Sequence, residues 1–173
     1  MKKYLKPALL ASAMLAVVGN ASAEPVLLSA EWGKAACDAW NADPVLTDEL
    51  AASGWVQNDG GKGYKVMQLY RTDCSNSSTT ELRIGLQDGK AKCIYGGAVE
   101  TGELNGDADY SMHAETSRWM EMGAGEYGPM KAMMFGRLKF AGPKWEAMKN
   151  MDPFTNFLML TGTVASDATT CPL

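Results

Sequence analysis

Residues 79–98 read TTELRIGLQDGKAKCIYGGA. Leu82, Ile84 and Leu86 alternate with Glu81, Arg83 and Gln87, the two-residue period of a strand with one face buried. Asp88-Gly89 then supplies the residues a tight hairpin turn needs, so a third strand is expected over 90–98. Pairing about that turn sets Cys93 opposite Ile84, on the apolar face. Upstream, 64–71 (YKVMQLYR) reads as another strand. A tight first hairpin would put Leu69 in the same row, leaving Cys74 about five residues further on at ~3.3 Å each. Cys74 and Cys93 would then be too far apart to bond. Four cysteines still allow three connectivities, and none is assigned.

Outward from the hairpins, helical periods take over. Residues 28–41 (LSAEWGKAACDAWN) predict a helix capped by Ser29, with Trp32, Ala36 and Trp40 on one face. Residues 47–53 predict a short second helix closed by Gly54. A fourth strand is expected over 107–113 and a fifth over 137–141. Short helices are expected at 115–122 and 129–135, the latter turning its apolar face to the sheet. Trp145, Met148 and Met151 recur at near-helical spacing, and a final helix follows Pro153. Antiparallel hairpins mixed with helices give an α+β domain, one layer of helices on one sheet.

The first residues belong to a different order of signal. Lys2, Lys3 and Lys6, then the apolar run 7–19, then Ala21-Ser22-Ala23, have the three parts of a secretory signal peptide. Residues 1–23 are expected to be removed, leaving one domain, 24–173, that starts at Glu24. The chain of 173 residues carries a formal charge of −4. Loss of three lysines takes the remainder to thirteen basic and twenty acidic residues. No basic surplus exists to neutralise phosphates, so no nucleic-acid partner is expected. Cys37, Cys74, Cys93 and Cys171 all remain, an even count that in an exported chain predicts two disulfides. No C-x-x-C pair and a single histidine argue against a metal. The location that follows is periplasmic or secreted.

Several motifs have a plain reading that outweighs the chemical one. Gly123-Ala124-Gly125-Glu126-Tyr127-Gly128 matches G-x-G-x-x-G, but a helix precedes it where a dinucleotide fold needs a strand. It reads as a turn between helices. In Asn105-Gly106-Asp107-Ala108-Asp109 the glycine precedes both aspartates, the wrong order for a calcium loop. His113 is the one imidazole and no G-x-S-x-G elbow accompanies it, so catalytic residues are not expected and neither is a cofactor. Asn76-Ser77-Ser78 is a glycosylation sequon in form. The methionines say more. Nine of twelve fall at or after residue 112, with Met130, Met133 and Met134 on one helical face. Any single one suits a filled core; a layer of such flexible side chains suits a cavity that adapts to apolar ligands.

The stretch Asp107–Met151 resembles the sterol carrier protein type 2 lipid-binding domain family. Asp107–Met112, Trp119, Gly125, Pro129, Met133–Phe135, Gly136-Arg137-Leu138-Lys139 and Gly142 match in order and spacing. Pro143 departs from the family's usual Asp or Asn, which alters a turn. The resemblance implies a five-stranded, mostly antiparallel sheet covered on one face by helices, with an apolar tunnel between them. It implies that Trp119, Met130, Met133, Met134 and Phe135 line the tunnel and that Phe154, Phe157 and Leu158 form its C-terminal lid. The expected function is a non-catalytic, monomeric lipid-binding or lipid-transfer protein. It would hold a sterol, fatty acid, phospholipid or isoprenoid and make transient membrane contact. Two other classes stay open: a module with a collapsed tunnel that docks an exported enzyme, and a hydrolase.

Overall fold

Ser29 accepts a hydrogen bond from the Trp32 amide at 3.1 Å and so starts α1 (Ala30–Ala42), the capping expected of serine. This computed structural model describes residues 23–75 and 78–173. All of the expected leader but Ala23, and the first two residues of the sequon, lie outside the described residues. After α1, Pro44 and the Asp43 carboxylate, which accepts from the Val45 amide, turn the chain into a wide helical turn, Val45–Glu49. It runs into α2 (Leu50–Ala52), which ends at Gly54 with φ +79°.

The sheet follows: β1 (Tyr64–Arg71), β2 (Thr80–Gln87), β3 (Lys90–Ala98), β4 (Tyr110–Ala114) and β5 (Lys139–Ala141). Its spatial order is β3-β2-β1-β4-β5. Three pairs are antiparallel and β1–β4 is parallel. Asp88 and Gly89 take φ of +51° and +74°, the turn their sequence calls for. Ile84 lies opposite Cys93 as expected. The first hairpin is not tight: Ile84 faces Lys65, and Leu69 faces Thr80 across an eight-residue connection, 72–79. With eight residues between the two strands, the row expected through Leu69 is shifted by four residues.

Helices α3 (Thr116–Gly123), α4 (Pro129–Met134), α5 (Lys144–Lys149) and α6 (Met151–Thr163) complete the chain. The fourth strand begins at Tyr110, later than expected. The Asp109 carboxylate accepts from the Val66 and Asn105 amides and pairs with Lys62, so it caps the ladder instead of entering it. The fifth strand is also shorter. Gly136 at φ +66° brings the Arg137 and Leu138 amides back onto the Ala132 carbonyl. Pro153 sits inside the first turn of α6, where its missing N–H costs nothing.

Helix α1 lies flush on β3 because glycines meet there: a Cβ on Gly96 would stand 2.1 Å from the Gly33 carbonyl oxygen. Beside this contact Cys37 is bonded to Cys93, and Cys74 is bonded to Cys171. The helical face of the sheet buries Met67, Leu69, Leu82, Ile84, Tyr110 and Met112. The opposite face carries a polar network. Glu81 is fully buried there, accepting from the Thr101 amide, Gln68 and Arg83, whose guanidinium stacks between Tyr64 and Tyr95.

Candidate functional site

Behind the helices an aromatic chamber is built from four parts of the chain. Trp40 comes from α1, Trp55 from the turn after Gly54, Tyr110 from β4, and Phe154 and Phe157 from α6. Neighbouring rings stand 5.8–6.3 Å apart: Trp40–Trp55, Trp40–Phe157, Trp55–Tyr110 and Phe154–Phe157. The cavity they leave is about 10 Å³, room for one water molecule. One wall is polar. The Lys65 ammonium is fully buried, donates to Glu146 at 2.8 Å and to the Asn58 carbonyl at 2.8 Å, and lies over Trp55 and Tyr110. Tyr110 donates to the same Glu146 oxygen at 2.6 Å and accepts from the Trp55 indole at 3.0 Å. Burial pulls the Lys65 pKa down against the pull of Glu146, and burial with Glu146 pushes the Tyr110 hydroxyl well up. Glu146 thereby ties α5 to the sheet.

Outside this chamber lies an open cleft of about 400 Å³. Its apolar lining is Met130, Met133 and Met134 of α4, Leu138, Phe140 of β5 and Met148 of α5; Lys139 and Lys144 stand in it as well. Phe140 lines the cleft and packs against two residues of the chamber. Its ring is 5.3 Å from Tyr110 and 5.8 Å from Phe154, so it links the cleft lining to the aromatic cluster of the chamber. A third recess, about 390 Å³, lies alongside, with His113, Glu115, Arg118, Phe135, Arg137 and Lys139 in its wall. There His113 stacks on Tyr70 with centroids 4.6 Å apart. Burial and then Lys139 hold its pKa below the usual imidazole value.

Much of the sequence that builds this helix-covered sheet is matched by a family model. The model, described as the SCP-2 sterol transfer family, covers residues 57–155. The chain belongs to this family. Two solved structures have the same fold. The solution structure of a conserved hypothetical protein from Thermus thermophilus is 20% identical, with a TM-score of 0.50 over 84% of this chain and 94% of that one. A crystal structure of sterol carrier protein 2 is 18% identical, with a TM-score of 0.53 over 80% of this chain and 99% of that one. A comparison with curated proteins gave no significant match. SCP-2 membership accounts for the five-stranded sheet and supports a lipid-binding role.

The residues singled out from the SCP-2 resemblance fall into separate places. Met130, Met133 and Met134 meet at the cleft. Phe154 and Phe157 line the closed chamber. Phe135, 66% exposed, lies on the third recess. Trp119 and Leu158 are buried in the core and line none of the three; the Trp119 indole donates to the Tyr70 carbonyl at 3.2 Å. One expectation needs correcting. Helix α4 buries Pro129 and Ala132, while Met134 is 71% exposed. The helix is only six residues long, and its tight return at Gly136 tips Met134 outward to the cleft rim. Trp40, Trp55, Tyr110 and Phe140 were not anticipated at the site. The alternation of Leu138 and Phe140 was the available signal for the last of these.

Proposed function

We propose that the chain is an exported, non-catalytic lipid carrier that takes up an apolar chain in the methionine cleft. The observation that carries this is the cleft itself: flexible, polarisable methionines around an opening that also holds Leu138 and the ring of Phe140. A chain laid against Met130, Met133 and Met134 meets the Phe140 ring, which Phe154 backs at 5.8 Å. Burial yields ~0.8 kcal/mol per CH₂, and association costs ~4–15 kcal/mol, so binding stays reversible enough for release. Exposed Met134, Phe135 and Trp145 suit transient contact with a membrane. Two disulfides, and a leader cleaved to expose Glu24, fit a monomer in the periplasm or secreted.

The test is native mass spectrometry of protein purified without detergent, beside a Met134→Trp variant. A bound lipid mass is expected on the wild type, with lower occupancy in the variant, because an indole on the rim lies across the cleft. Its melting temperature should hold, since an exposed site is not overpacked. Protein that stays empty when offered extracted lipids would overturn the proposal and favour a domain with a collapsed tunnel, the reading that the small closed chamber supports.

A further inference from the structure

The methionine cleft and the recess beside it share a border made of two residues, Gly136 and Lys139. The Lys139 ammonium folds over that border: its Nζ lies 3.2 Å from the place a Cβ on Gly136 would take. One side of the border is thioether and ring. The other side carries Arg118 and Arg137 with one carboxylate, Glu115. Arg118 is already held by Glu121 at 2.7 and 2.8 Å, whereas Arg137 lies over the Tyr127 ring at 4.5 Å and reaches the same carboxylate only at 3.9 Å. Lys139 has no salt-bridge partner among the described residues. It pairs across the strands with His113, so two nitrogen-bearing side chains face the recess side by side.

We propose that the ligand is an anionic amphiphile, its chain in the methionine cleft and its carboxylate or phosphate in the adjoining recess against Lys139 and Arg137. Such a molecule uses both halves of the border, whereas a neutral sterol leaves the positive charge uncompensated. An apolar slot ends at an ammonium without a carboxylate partner, and beyond it stands a guanidinium positioned by the Tyr127 ring, its carboxylate partner 3.9 Å away. Charge-assisted hydrogen bonds from these two are the strong kind, and the guanidinium can grip two oxygens at once. Hydrophobic contact alone would place a chain at any depth in the cleft; an anionic head fixes its register. The inference rests on the lipid-carrier reading and narrows its ligand class.

Displacement of a fluorescent fatty acid tests the headgroup and the carrier reading separately. The competitors are dodecanoate, dodecyl phosphate, dodecanol and inorganic phosphate, at low salt. Both anionic amphiphiles should bind about tenfold tighter than the alcohol, a difference of ~1.4 kcal/mol. In the Arg137→Gln/Lys139→Gln variant the ratio of acid to alcohol affinity should fall towards one, while Lys139→Arg should keep it. Dodecanol binding as tightly as dodecanoate to the wild type would overturn the headgroup assignment and leave the carrier reading standing. So would a preference that survives in the double variant. Inorganic phosphate binding as tightly as dodecyl phosphate would make the recess a free-anion site and likewise overturn the proposal. If none of the four displaces the probe and the probe itself does not bind, the carrier reading fails beneath it.

Discussion

Lys65 is a lysine at a position where the strand pattern asks for an apolar residue, and four groups converge on its nitrogen. Glu146, the Asn58 carbonyl and the faces of Trp55 and Tyr110 replace its water. Breaking such a buried pair from one side is costly, because the remaining charge has no solvent. Glu146→Gln should therefore destabilise the fold by about 3–5 kcal/mol, read as a lower urea midpoint. Adding Lys65→Met should recover much of that loss, since apolar packing then replaces the stranded ammonium. A Glu146→Gln protein as stable as wild type would mean that α5 is held by packing alone. Glu81, on the other face of the sheet, follows the same logic: a buried carboxylate kept ionised by its donors. Neither residue announced this in the sequence. Lys65 stood in a plain alternating strand, and Glu81 was one of three polar residues on a face expected to meet water.

At the scale of elements the strands were the most legible part. β1 and β3 run over the residues their alternation predicted, and β2 begins one residue later, because a period of two is hard to imitate by accident. What failed was register across a connection. The turn at Asp88-Gly89 fixes its hairpin through local chemistry, whereas the 72–79 connection is too long for its composition to set a pairing. The disulfides depend on that register. Cys37–Cys93 joins α1 to β3, and Cys74–Cys171 joins the end of β1 to the C-terminal tail, over sequence separations of 56 and 97. The tail is also bound to Arg71, which donates to the Thr170 and Ala168 carbonyls, and to the first described residues through the Val26–Asp167 bridge. Closing loops of this length stabilises by about 4 kcal/mol each in the chain-entropy account. Reduction should lower the melting temperature clearly. Cys74→Ser/Cys171→Ser should in addition expose the Arg71 clamp, read as faster amide exchange over 164–173. A double variant whose tail exchanges like wild type would show that Arg71 holds it unaided.

For the whole molecule, net charge proved a poor guide to the site because charge is unevenly spread. Residues 130–149 hold five basic residues and one acidic one, while the rest of the sequence holds eleven basic and nineteen acidic. The single acid is Glu146, already taken by Lys65. An acidic total thus conceals a basic stretch, and the fold places two of its lysines, Lys139 and Lys144, in the cleft. The same distribution sets how the protein responds to acid. His113 has its pKa held below 6.5 by burial and by Lys139, so on acidification the unfolded chain takes up a proton first. Its contribution to stability is present above 6.5 and declines as pH falls through the folded-state value. Glu81 acts lower down. Burial alone would raise its pKa, but the bonds from Thr101, Gln68 and Arg83 outweigh burial and bring it below 4.5. The stability it supplies is present above 4.5 and is lost as pH drops through the depressed value. The urea midpoint should accordingly fall in two stages, one beginning near pH 6.5 and a second below 4.5. His113→Gln should abolish the first stage and leave the second. If the midpoint of the wild type is flat from pH 7 to 5, the imidazole is as free in the folded protein as in the unfolded chain, and its placement against Tyr70 and Lys139 has no energetic consequence.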